Sequence, residues 1–175
     1  MTREIDMIKN LSKITGIPIE EFNAALHLSK CTANTAAQAK KVREHATLLE
    51  DIISACIRWE ELSLFEAGSA KNAIQAKKAF DDSFPGSEGE RLAFVKADDF
   101  SLELVNNANT IPEIEEALRH APAHGKAMKA GGLKIAHLSN NIEELVKIRE
   151  ENTKPNSKER MMIDRRIWFF YLESQ

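Results

Sequence analysis

The sequence predicts an all-α fold of about ten helices, short and long in alternation, and three observations carry that expectation. Helix-start signatures recur, a Ser, Thr or Asn followed three residues later by Glu or Gln: Thr35 with Gln38, Thr47 with Glu50, Asn72 with Gln75, Ser87 with Glu90, Thr110 with Glu113, Asn141 with Glu144. Apolar residues between them fall at helical intervals, without the alternation of a strand. Segments also return after 37–38 positions. Gln38-Ala-Lys-Lys41 recurs unchanged as Gln75-Ala-Lys-Lys78, and Trp59-Glu-Glu-Leu-Ser-Leu64 is answered by Ala97-Asp-Asp-Phe-Ser-Leu102. A period of that size with two helices per unit predicts an α-solenoid or a repeat-derived helical bundle.

The elements follow in order. Residues 2–14 form a first helix, with Ile5, Ile8, Leu11 and Ile14 on one side. Pro18 opens a second over residues 19–30, with Phe22, Ala25 and Leu26 inward. This pair, residues 1–34, is an N-terminal cap. An array over residues 35–175 follows in four units (35–71, 72–109, 110–140, 141–175), the whole forming one structural domain. The first unit has a short helix after Thr35 and a long one after Thr47 that carries Ile52, Ile53, Cys56, Ile57, Trp59, Leu62 and Phe65. The second, most complete unit has a short helix with Ala73, Ala76, Ala79 and Phe80. Pro85-Gly86 ends it, because proline disfavours helical geometry in the residue before it. Its long helix presents Leu92, Val95, Phe100 and Val105 as an apolar stripe, with Phe94, Leu102 and Leu104 beside them. The third opens at Thr110, turns at Ala121-Pro-Ala-His-Gly125 and continues as a helix over 126–138, which Gly131-Gly132 should weaken or kink. The fourth has a short helix after Asn141, a proline turn at Pro155 and a last helix over 158–172.

Composition narrows the function classes. Twenty-seven acids against 24 Lys and Arg give a net charge of −3, which does not suggest a polyanion-binding surface. Two cysteines, Cys31 and Cys56, stand far apart and outside any CxxC pattern, as expected in a reducing compartment and not in a disulfide or zinc scaffold. The first ten residues lack the apolar core of a secretory signal and no apolar run approaches a membrane span, so a cytoplasmic location is expected, with non-Sec secretion still open.

Ser83-Phe-Pro-Gly-Ser87, His120-Ala-Pro-Ala-His124 and Trp59-Glu-Glu-Leu-Ser-Leu64 together resemble tandem helical repeats of uncharacterised bacterial proteins, similar in architecture to tetratricopeptide and Sel1-type solenoids. The Trp-x-x-Leu-Gly-x-x-Tyr consensus of tetratricopeptides is absent. The resemblance, over residues 35–172, implies a solenoid and its usual role of gripping another protein or peptide.

Candidate chemistry is sparse. Arg119-His-Ala-Pro-Ala-His124 has the R-x4-H spacing that resembles HEPN-type ribonucleases, in which both residues sit on one helix; here Pro122 lies between them and predicts a loop. His120, His124 and His137 lack the convergent spacing of metal ligands, so no metal and no cofactor is expected. The paired acids Asp81-Asp82, Asp98-Asp99 and Glu143-Glu144 diverge by about 100° on a helix and read as solvated faces. Lys40, Lys41, Lys77, Lys78, Lys126, Lys129 and Lys134 read as a salt-bridged exposed face, without the aromatic interleaving of a nucleic-acid groove. Trp168-Phe-Phe-Tyr171 cannot all face one side of a helix. They either close the array or form a docking patch for a partner or a second copy. The expectation is thus a non-catalytic protein–protein interaction module, adaptor or scaffold, binding neither nucleic acid nor membrane. The alternatives are a HEPN-like ribonuclease using Arg119 and His124, and a secreted effector or phage-type inhibitor of a host protein.

Overall fold

The computed structural model describes the chain except residues 1, 26–30, 140, 156 and 174–175, and except the side chains of residues 2–4, 152, 169 and 171–173. Among the described residues there are ten α-helices and no strand: α1 (Thr2–Thr15), α2 (Ile19–Ala25), α3 (Ala36–His45), α4 (Leu49–Ser69), α5 (Ala73–Asp82), α6 (Glu88–Asn107), α7 (Ile111–Leu118), α8 (Lys126–Leu138), α9 (Ile142–Asn152) and α10 (Lys158–Glu173). None is long and apolar enough to cross a membrane. The chain divides into two compact units, Met1–Ala97 and Asp98–Gln175, with the division inside α6.

The helix starts follow the side-chain chemistry. Thr35 Oγ1 accepts from Gln38 N at 3.2 Å, and Asn72 Oδ1 from Gln75 N at 2.9 Å. The two glutamines reach one residue beyond the cap, to Asn34 N and Lys71 N. Thr110 and Glu113 form a reciprocal capping box. The amides of Asn109 and Thr110 hold the exposed Glu113 carboxyl below its usual range. Thr47 does not cap α4: Leu48 holds the N-cap position and no side chain bonds there, so the expected signature fails.

In the first unit α4 is the central helix, packed against α1, α2, α3 and α5. Ile53, Cys56, Trp59 and Leu62 of α4 meet Leu11, Phe22, Ala36, Ala39 and Phe84 in one core. Burial raises the Cys56 thiol pKa, and both cysteines are free. Ile8 and Leu11 are buried as expected, but Ile5, Ile14 and Phe65 are exposed. Leu26 lies outside the described residues.

On α6 the buried line is Ala93, Ala97, Ser101 and Val105, while Val95 and Leu104 are exposed. That corrects the expected stripe. Helices that approach closely select small side chains at the contact, and the bulky neighbours are turned aside. The second unit follows the same rule. There α8 packs against α7, α9 and α10. Gly131 does not break α8. A Cβ built on it would fall 2.5 Å from Leu118 Cδ1, so the glycine admits α7 at close range. Ile114 and Val105 fill one cluster, Leu145, Ile148 and Ile163 another.

Bases on the long helices hold earlier backbone carbonyls. Arg58 Nε donates to Ala33 O at 3.0 Å, Lys96 Nζ to Gly68 O at 2.6 Å, and Lys134 Nζ to Val105 O and Asn106 O at 2.9 Å. Arg166 donates to Ser139 O at 3.1 Å. The last three neutralise carbonyls at or near the C-terminal ends of α4, α6 and α8, which lack intrahelical donors. Arg58, Lys96 and Lys134 are 38 residues apart.

Candidate functional site

Two cavities, one in each unit, are the candidate sites. The first is built around the turn between α5 and α6. Pro85 ends the preceding segment and Gly86 adopts φ +77°, a left-handed conformation that a side chain disfavours. Ser87 Oγ accepts from Glu90 N at 3.1 Å, and Glu90 reaches back to Gly86 N at 2.7 Å. α4 pins this turn. Trp59 Nε1 donates to Asp82 O at 2.6 Å, its ring meets Phe84 edge-on at 4.7 Å, and Ser63 Oγ accepts from Phe84 N.

Glu60, on the same helix, is 2 % exposed. Its Oε1 accepts from Glu88 N at 3.1 Å and Gly89 N at 3.3 Å, so it caps α6 from a different helix. Burial raises its pKa, opposed by Ser87 and by the two amides. The Ser87 hydroxyl favours the charged form but makes no well-formed hydrogen bond to Oε2, which is buried without a partner. Asp6, Met7 and Asn10 of α1, Glu60, and Gly86, Ser87, Glu88, Glu90 and Arg91 wall a cavity of about 600 Å³.

Asp98 does the same work in the second unit. It is 4 % exposed, and its two oxygens accept from Lys126 N and Ala127 N, both at 2.8 Å. It is therefore not part of a solvated face, which corrects the reading of Asp98-Asp99; Asp99 is exposed. Glu60 and Asp98 are 38 residues apart, as are Ser63 and Ser101 and Ser139, all three buried. Of these two acids, only Asp98 caps with both carboxylate oxygens.

The second cavity, about 580 Å³, lies between α8 and α10. Leu133, Ala136, Met162, Ile163 and Phe170 form an apolar floor, and His137, Arg165 and Arg166 the rest of its wall. Arg166 lies over the Phe170 ring at 5.4 Å. Trp168 is 64 % exposed, and Met161 and Met162 are exposed nearby on α10. The aromatic run thus splits: Phe170 packs on the core, Trp168 faces water, and the side chains of Phe169 and Tyr171 lie outside the described residues. At the α9–α10 contact Arg149 pairs with Glu150 and Asp164, which raises its pKa.

The other candidates are dispersed. α7 stops at Leu118, so Arg119 and His124 do not share a helix. Arg119 pairs with Glu116 at 2.8 Å and His124 sits in a turn with φ +65°. Among the described residues no three His, Cys, Asp or Glu converge as metal ligands. Of the lysines, Lys77 pairs with Asp81 and Lys129 with Glu159, Lys134 is spent on backbone carbonyls, and Lys40 lies over Trp59 at 5.9 Å. Glu60 was not singled out from sequence, although its 38-residue register with Asp98 was there to be read. The chain matches no family model, no curated protein and no solved structure.

Proposed function

We propose that the chain is a helical-repeat module that binds another protein, and that the groove between α8 and α10 receives it. Three regularities support the repeat: the carboxylate caps at Glu60 and Asp98, the bases at Arg58, Lys96 and Lys134, and the buried serines at 63, 101 and 139 all recur at 38 residues. Units that stack in this way bury each apolar face against the next.

The observation that carries the binding role is the groove itself. Among the described residues it joins an apolar floor to a wall whose charged or titratable members are His137, Arg165 and Arg166, beside exposed Met161, Met162 and Trp168. A floor of that kind suits an amphipathic helix laid in by its apolar face, and the basic wall suits acidic flanks on that helix. Unbranched methionines adapt to varied partner shapes. The role is that of a cytoplasmic adaptor, or of an effector or inhibitor directed at a host protein; both use the same surface.

Met162→Glu tests the groove, because the side chain is 55 % exposed and its replacement leaves the core intact. The full chain should capture a protein from lysate of its source cell in a fixed ratio, and nuclease treatment should not release it. Met162→Glu should lose that protein while keeping its circular dichroism spectrum and unfolding midpoint. Recovery of RNA, shortened only when His124 is present, contradicts the proposal in favour of a ribonuclease.

A further inference from the structure

We infer that Arg165 selects the partner of the α8–α10 groove, by pairing with a carboxylate on an acidic amphipathic helix laid into it. The inference rests on the reading of that groove as a docking site and assigns its specificity. The arginines of the last two helices differ in what they hold. Arg149 pairs with Glu150 and Asp164, Arg160 pairs with Glu150, and Arg166 donates to Ser139 O and lies over the Phe170 ring. Arg165 makes no hydrogen bond or ion pair among the described residues. It is exposed, and it lines the cavity together with Met162. At spacings of four and three residues it shares one face of α10 with exposed Met161 and Trp168. A guanidinium set between a methionine and a tryptophan matches the composition of an interface centre, not of a solvated helix face.

Charge decides among the occupants. A guanidinium offers two parallel N–H donors to a carboxylate, and apolar neighbours that exclude water on docking strengthen the pair. A second copy of the chain does not fit. Contact of this face with itself would bring His137, Arg165 and Arg166 against the same groups, and like charges across an interface oppose association. A nucleic acid needs a track of cations along its phosphates. Here Glu150 and Asp164 already neutralise Arg149 and Arg160. An uncharged apolar peptide would cover the floor and leave Arg165 unanswered. A helix with an apolar face and acidic flanks meets both demands. Its apolar side chains cover Leu133, Ile163 and Phe170, and a flanking carboxylate reaches Arg165. Arg166 cannot take this role without giving up Ser139 O.

Fluorescence anisotropy of labelled probes titrated with the full chain tests the assignment. The probes are two helical peptides of about 16 residues with the same leucine face, one flanked by Glu and the other by Gln, and a uridine oligoribonucleotide. The Glu peptide should bind about fivefold tighter or more than the Gln peptide, and added salt should narrow the difference. Arg165→Gln removes no hydrogen bond or ion pair among the described residues. It should equalise the two peptides, leave the affinity for the Gln peptide unchanged and keep the unfolding midpoint. Arg165→Lys keeps the charge but not the paired donors, and should retain only part of the preference. The inference is overturned if the parent binds the two peptides equally or binds neither, if Arg165→Gln keeps the preference, or if the RNA binds instead. Equal binding of both peptides that Met162→Glu abolishes would overturn the role of Arg165 and leave the groove reading standing. Binding that survives Met162→Glu contradicts the groove reading, and the role of Arg165 with it.

Discussion

Trp59→Ala is expected to lower the unfolding free energy by about 3–5 kcal/mol, the range for removing a large aromatic from a core. The ring is buried, and three contacts are lost with it: the indole N–H to Asp82 O, the edge-on packing against Phe84, and the Lys40 ammonium above the ring. The Asp82 carbonyl then loses its donor, so an unmet hydrogen bond adds to the cavity left behind. Denaturant unfolding followed by circular dichroism measures the loss. Trp168→Ala, at an exposed position, should change stability by no more than about 0.5 kcal/mol. Phe94 is half-buried against Phe80, and its truncation should cost less. Equal effects at 59 and 168 would mean that Trp59 does not hold the α5–α6 turn.

Gly89→Ala should destabilise by about 1–3 kcal/mol, the usual cost of overpacking. Helix propensity argues the other way, since alanine is favoured over glycine inside a helix by roughly 1 kcal/mol. Packing decides the sign. A Cβ on Gly89 would stand 2.5 Å from Ser63 Cβ and 2.9 Å from the backbone of Ser63 and Leu64, atoms that cannot swing aside. The intruding methyl pushes α6 from α4 and pulls Gly89 N from Glu60, whose bond is already 3.3 Å. Gly68→Ala is the matched comparison. It is also helical, but nothing lies within 4 Å of its Cβ position, so propensity should prevail and stability rise by up to about 1 kcal/mol. The two substitutions should therefore differ in sign.

Much of the helical layout was legible in the sequence because its signals are local. The caps at Thr35, Asn72 and Thr110 and the stops at Pro85 and Pro122 act within a few residues, and the helices begin and end beside them. Thr47 shows where local reading fails. A capping signature shows only that a bond can form, and α4 starts two residues later without one. Burial was harder to read. Bulk suggested Val95 and Leu104, whereas close helix contact chose Ala93, Ala97 and Ser101. The candidate site was the least legible. Asp98 looked like one of two surface acids, and Glu60 drew no reading of its own. Their function depends on backbone amides 28 and 29 residues away, brought within reach only by packing.

The most direct test of the capping scheme is amide hydrogen exchange in Asp98→Ala. If the carboxylate holds the start of α8, the amides of Lys126 and Ala127 should exchange about tenfold faster or more, the ratio that roughly 1.4 kcal/mol of lost protection gives, while those of Glu88 and Gly89, held by Glu60, keep their protection. Undiminished protection at Lys126 and Ala127 would contradict the scheme, and with it the strongest support for the 38-residue repeat.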